Sequence, residues 1–156
     1  MPISSDHLAK HVVVPALTDY GLHSTSAVEL LLGTAAVESW LGTYLAQVGG
    51  PALGIYQMEP TTHDDIWGNF LAYRNGLRLA LELEFGKAPT ADRLVYDLRY
   101  ATLMARIHYL RVRMPLPGAG DTDGQAAYWK QHYNTPEGAG SVAKYKAAYR
   151  SLVVAG

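Results

Sequence analysis

The chain has 156 residues, a formal net charge of −1, 49% hydrophobic and 17% charged side chains, and no cysteine. This length is expected to close one hydrophobic core, a single domain over residues 1–156, and the missing cysteines exclude disulfides, thiolate catalysis and cysteine-bound metals. The near-neutral balance lacks the basic stripe of a nucleic-acid binder, and no run approaches the roughly 20 apolar residues of a membrane-spanning helix.

Helical periodicity dominates the pattern. A first helix is expected over residues 6–20, kinked at Pro15 and stopped by Gly21. Asp6, His7, Lys10 and His11 interrupt any apolar run there, so no secretory signal is expected. Ser26-Ala27-Val28-Glu29 reads as a capping box. The helix it opens carries Leu30, Leu31, Thr34, Ala35, Val37, Glu38 and Leu41 at helical spacings, which puts Glu38 on or beside the buried stripe. Residues 43–60 hold Gly49, Gly50, Pro51 and Gly54 and are too broken for a helix, so a small hairpin or irregular lobe is expected.

Thr61 or Thr62 is expected to cap the next helix, with Asp64 and Asp65 in its first turn, where the helix dipole favours acids. Residues 77–85 read as a helix stopped by Gly86, and Pro89-Thr90 opens a further helical stretch. Residues 97–113 form a long amphipathic helix, on which Arg106, His108, Arg111 and Arg113 read as a solvated basic face. A Pro/Gly/Asp loop over 115–124, a short helix over 125–133 and a turn-rich loop over 135–140 lead to a last helix, capped by Ser141 and running to about residue 153. The fold class expected is mostly α.

Three features carry chemistry. Glu38 is an acid on an apolar helix face with Trp40 beside it, and such surroundings raise a carboxyl's pKa toward the range of a general acid. Periodicity alone leaves the plainer reading open, a surface glutamate at a helix end. The strip Gly54-Ile55-Tyr56-Gln57-Met58-Glu59-Pro60-Thr61-Thr62 adds a conformationally free glycine, a flat aromatic face and a two-way amide suited to sugars and N-acetyl groups. Here too a turn with Tyr56 in the core is the plainer reading. Two histidine arrangements, His63 with Asp64-Asp65 and the i, i+4 pair His7 and His11, lack the wider ligand set of a metal motif, and neither metal nor cofactor is expected. Trp40, Trp67 and Trp129 are each flat enough to stack on sugars, with core packing the better reading for Trp67.

Glu38-Ser39, followed by Ala52-Leu53-Gly54-Ile55-Tyr56-Gln57-Met58-Glu59-Pro60-Thr61-Thr62, resembles the soluble lytic transglycosylase and goose-type lysozyme superfamily. That family has a Glu-Ser pair ending a helix and then a Gly-Ala-x-Gly-Leu-Met-Gln-hydrophobic-x-Pro-x-Thr strip. Gly54, Gln57, Pro60 and Thr62 match it, while Pro51, Ile55 and Tyr56 replace its Gly, Leu and Met. Tyr133-Asn134 is similar to the family's aromatic-Asn pair, and residues 128–136 resemble phage-encoded, muramidase-like members.

The resemblance implies a mostly α, lysozyme-like (α+β) fold with two lobes and a central groove for peptidoglycan glycan strands. The bond cut would be the β-1,4 link between N-acetylmuramic acid and N-acetylglucosamine. Glu38 would be the catalytic acid, Ser39 would orient it, Tyr56 and Gln57 would line the sugar site, and Tyr133 and Asn134 would hold the glycan. One convincing acid favours a lytic transglycosylase giving 1,6-anhydro products. The alternatives are a hydrolytic lysozyme using Glu59, Asp64 or Asp65 as second carboxylate, and a non-catalytic glycan-binding or structural virion protein. A monomer is expected, made in the host cytoplasm and reaching the wall through a lysis pore or carried on a phage virion.

Overall fold

Capping side chains and glycines of positive φ cut the chain into helices across residues 1–154, the residues that the computed structural model describes. Helix α1 begins as Ser5–Leu8, passes through a π turn at Ala9–Val13 and ends as Val14–Asp19. In place of the kink expected at Pro15, the helix has a π turn just before the proline, with helical dihedrals at Val13 and Val14. Pro15 sits in the first turn of the segment that follows, where its missing N–H is best tolerated. Gly21 follows at φ 65°.

Helix α2 spans Thr25–Ser39. Its N-cap is Ser24, whose hydroxyl accepts from the Ala27 amide at 3.0 Å, so the capping box expected at Ser26 does not form. Glu29 is drawn instead to the Gly120 amide and the Gln125 side chain, at 2.8 and 2.7 Å. Leu30 through Ala36 are all buried, and α2 is the central helix of the fold rather than a one-sided surface helix.

Helices α3 (Pro60–Asn69), α4 (Asn75–Phe85) and α5 (Arg93–Tyr96) follow. Glu59 occupies the N-cap position of α3 and Pro60 its first turn, a favoured place for proline. Thr61 and Thr62 thus lie inside the helix instead of capping it, and Asp64 and Asp65 fall beyond its first turn. Helix α6 (Leu98–Leu110) is capped by Asp97, which accepts from the Tyr100 amide at 2.9 Å. Helix α7 (Thr122–Trp129) is capped by Asp121, starts earlier than its apolar pattern implies, and runs on as a π turn over Lys130–Asn134. Helix α8 (Val142–Tyr149), capped by Ser141, ends in a π turn over Arg150–Val154.

Helix α2 packs against α1, α6, α7 and α8. Tyr100, Tyr109, Trp129 and Tyr145 are the largest side chains filling the space around it. Between α2 and α3 the chain forms an irregular lobe with only isolated β-bridges, Ala46 to Leu53 and Leu53 to Met58. Among the described residues no helix is long and apolar enough to cross a membrane.

Candidate active site

A cleft of about 430 Å³ opens where the C-terminal end of α2, the irregular lobe, the start of α3 and the π turn after α7 meet. Glu38, Gln57, Glu59, Thr62, His108, Tyr133 and Asn134 line it, with Gln47, Ala52, Met58, Thr135, Gly138 and Ala139 around them. The fold thus brings Glu38, Gln57, Tyr133 and Asn134 together from three separate parts of the chain.

Glu38 lies in the last turn of α2, next to the cleft. Burial raises its carboxyl from an ordinary 4.5 to about 7, because the carboxylate loses hydration that is only partly replaced. The Trp129 indole N–H opposes this shift by favouring the charged form. That N–H is buried and makes no regular hydrogen bond, so it lies near the carboxyl without fully pairing it. The aromatic neighbour that shapes the acid is Trp129, not the adjacent Trp40. Trp40 is half-exposed and lines a separate hollow with Val37 and Lys144.

Ser39 is fully buried and touches neither the cleft nor the Glu38 carboxyl. Its Oγ donates to the Ile55 carbonyl at 2.6 Å and accepts from the Gly42 amide at 2.9 Å. It therefore pins the end of the acid-bearing helix to the glycine strip. Beyond it Trp40, Leu41 and Gly42 take successive left-handed conformations at φ 52°, 50° and 80°. A non-glycine residue in that region costs about 1–2 kcal/mol. Leu41, fully buried, and the Ser39 clamp offset that cost.

The strip itself turns at Gly54, φ 82°, where an added Cβ would collide with the Leu94 carbonyl. Glycine is thus required by the packing of α5 against the strip, in addition to its φ. The Gly54 carbonyl accepts from both the Gln57 amide, at 3.0 Å, and Gln57 Nε2, at 2.9 Å. This holds Gln57 in the left-handed region at φ 49° and leaves its Oε1 for the cleft. Tyr56 points the other way. It is 1% exposed and its hydroxyl pairs with Thr102 at 2.9 Å, so its ring is out of reach of a sugar, against the role expected for it. Its backbone carbonyl accepts instead from the Tyr133 hydroxyl at 2.6 Å.

The π turn over Lys130–Asn134 brings Tyr133 and Asn134 to the cleft. The Tyr133 phenol stays protonated, since burial and the nearby Glu38 push its pKa well up. Asn134 Oδ1 accepts from Lys130 Nζ at 2.8 Å, and Lys130 also holds the Gly138 carbonyl at 2.9 Å.

Of the candidate second carboxylates, Glu59 alone lines the cleft. Asp65 Oδ2 pairs with Arg111 Nη1 at 2.7 Å, and hydrogen bonds from Asn69 and Arg111 hold its carboxyl below the usual range. Asp64 Oδ1 contacts His63 Nδ1 at 2.9 Å, while His63 Nε2 meets the Tyr100 hydroxyl at 2.6 Å. Trp67 donates to that same hydroxyl at 2.8 Å. Among the described residues no cluster of three or more His, Asp or Glu side chains is placed to hold a metal.

The basic face expected on α6 is not one solvated patch. Only Arg113 is exposed. Arg106 is half-buried with its Nε on the Leu22 carbonyl at 3.2 Å, and His108 faces the cleft. Where the sequence places His108 and Arg111 on that solvated face and offers Trp129 as a sugar-stacking ring, His108 instead lines the cleft, and Trp129 is 1% exposed and lies outside the lining. The helical spacing from Gln125 to Trp129 signals a shared inward face, whereas nothing local marks His108.

No protein-family model matches the chain, and neither a curated protein nor a solved structure shows significant similarity to it.

Proposed function

We propose that the protein cleaves the glycan strand of peptidoglycan, at the β-1,4 bond between N-acetylmuramic acid and N-acetylglucosamine, as a lytic transglycosylase. The observation that carries this reading is a cleft-facing carboxyl, Glu38, held near pKa 7 by burial and therefore able to deliver a proton at neutral pH. Neutral hydrogen-bonding groups from Gln57, Asn134 and Thr62 share the cleft with it, beside one further acid, Glu59, and suit the hydroxyl and N-acetyl groups of a polysaccharide.

In this mechanism Glu38 protonates the departing O4 of the glucosamine as the C1–O4 bond breaks. The carboxylate so formed takes the proton of the muramic 6-hydroxyl, whose oxygen bonds to C1 and closes the 1,6-anhydro ring. One carboxyl serves as acid and then as base, and no water is consumed. Ser39 acts through the backbone, by fixing the helix end that presents Glu38.

A specific observation favours a second reading. Glu59 lines the same cleft and is the group that would activate water or attack C1 in a hydrolytic lysozyme. Mass spectrometry of digested peptidoglycan separates the two. Anhydro-muropeptides, undiminished in Glu59→Gln, support the transglycosylase; reducing ends lost in Glu59→Gln support the lysozyme. Wall binding without any cleavage by the wild type would leave a glycan-binding or structural role. Delivery by a lysis pore or on a phage particle belongs to the same proposal, and immunodetection in purified particles tests the latter.

A further inference from the structure

The wall of the cleft contributed by α6 holds a histidine in an unusual electrostatic setting. His108 packs edge-on against Tyr133, with ring centroids 4.9 Å apart. Arg111 Nη2 lies 2.8 Å from His108 Nδ1, and Arg111 Nη1 lies 2.7 Å from Asp65 Oδ2. A guanidinium only donates, so Nδ1 must be the accepting nitrogen. The ring proton is then on Nε2, which has no hydrogen-bond partner among the described residues, on a ring that lines the cleft.

This is the reverse of the common arrangement in which a carboxylate behind a histidine makes it basic. A cation behind the ring makes it a poor base and a better N–H donor. Burial, then the Arg111 charge, lowers the pKa of His108 to about 4; Asp65 works against this and His132 adds to it. Tyr133 on its edge, Tyr109 with its centroid 6.3 Å away, and Glu38 and Glu59 on the same cleft are the other titratable groups about the ring. The ring stays neutral at any pH where Glu38 titrates. An imidazolium here would place a positive charge in the same cleft as Glu38 and favour its ionised form, removing the acid.

We propose that His108 is a specificity-determining residue of this cleft: its Nε2–H, presented by the Asp65–Arg111 pair behind it, donates to the carbonyl oxygen of an N-acetyl group on a sugar. The proposal deepens the glycan-cleaving reading and rests on it. A carbonyl is the better match than an anion because the ring is neutral, Gln57, Asn134 and Thr62 are neutral too, and the acids of the cleft, Glu38 and Glu59, would repel a negative charge.

The test uses the full chain with Glu38→Gln, so that oligosaccharide stays uncut, and tetra-N-acetylchitotetraose with its de-N-acetylated form as probes. Nitrogen-15 NMR should find His108 as the neutral Nε2–H tautomer from pH 5 to 8. Arg111→Met should let the ring titrate at higher pH. The N-acetylated tetramer should shift the Nε2–H signal and the de-N-acetylated tetramer should not. His108→Phe, which keeps the aromatic packing, should weaken tetramer binding about ten-fold, with His108→Gln recovering part of the loss. An Nδ1–H tautomer, no tetramer binding, a bound tetramer that leaves His108 unmoved, or undiminished binding by His108→Phe in a protein with a native-like spectrum would each overturn it. Failure of the wild type to clear cell walls would overturn the cleavage reading alone, because the tautomer and tetramer measurements require no turnover.

Discussion

Helix α2 carries two glutamates, and the fold treats them oppositely. Both face α7, at residues one helical turn apart: Glu29 meets Gln125 and Glu38 meets Trp129. Glu29 accepts two well-formed hydrogen bonds, from the Gly120 amide at 2.8 Å and Gln125 Nε2 at 2.7 Å, and ties the loop before α7 to the central helix. Glu38 receives only the partial support of one indole N–H and is pushed to about 7. The lesson is that burial alone does not make an acid reactive. Glu29, anchored by two hydrogen bonds, is a structural tie, whereas Glu38, whose lost hydration is only partly replaced, holds its proton toward neutral pH.

The largest test of this contrast is Glu38→Gln. It should reduce peptidoglycan cleavage by about 10³-fold, the scale of a lost general acid, as measured by turbidity clearing. It should also change the pH dependence of stability. Because the folded pKa lies above the ordinary 4.5, the native state keeps a proton that the unfolded chain releases as pH rises toward 7. The Glu38 contribution to stability therefore falls through that window, by up to about 3 kcal/mol, against the opposite rise that His108, with its lowered pKa, contributes over much of the same range. Denaturant unfolding of Glu38→Gln should lack this fall. A stability difference between the variant and wild type that stays constant between pH 4.5 and 7 would mean that Glu38 is not the strained acid.

Gly54→Ala should come next, through the strip that Ser39 clamps to the acid. It forces a left-handed φ on alanine and a collision with the Leu94 carbonyl, a cost of about 3 kcal/mol by denaturant titration. Glu29→Ala should cost about 2 kcal/mol, because it removes two hydrogen bonds to a charged group. It leaves Gln125 fully buried, with its Oε1 already unpartnered and its amide nitrogen left with only the Gly118 carbonyl at 3.3 Å. The pH profile of cleavage should stay where it is. A shift of that profile in Glu29→Ala would erase the distinction between the two acids.

Much of this was legible in the sequence, and the failures share a cause. The helix bearing Glu38, the irregular lobe, the stop at Gly21 and the cap at Ser141 follow from local rules, namely helical spacing, glycine punctuation and hydroxyl capping. The capping box failed because Ser24, Thr25 and Ser26 compete locally, while Glu29, its other half, is claimed by residues about 90 positions away. Tyr56 was misplaced because an alternating strip does not say which way a turn faces, and Thr102 on α6 decides it. His108 was invisible because its role depends on Arg111 being held by Asp65 from another helix. Glu38, Gln57, Tyr133 and Asn134 are gathered at one cleft, whereas Ser39 and Tyr56 are structural neighbours of it.

The finest test is the indole itself. Trp129→Phe keeps a buried ring of similar shape against Tyr145, whose centroid is 5.5 Å from that of Trp129, but removes the one N–H that favours the charged Glu38 carboxyl. With only desolvation left to act, the carboxyl should rise further, and the alkaline limb of the cleavage profile should move to higher pH while the acidic side is unchanged. The N–H has no regular partner to lose, so the stability cost should reflect only the small volume change, on the order of 1 kcal/mol. An alkaline limb that stays in place would show that the indole does not reach the carboxyl. A limb that moves to lower pH would show that the indole ring excludes water from Glu38 more than its N–H stabilises the anion, and the contrast with Glu29 would then lie in packing and not in hydrogen bonding.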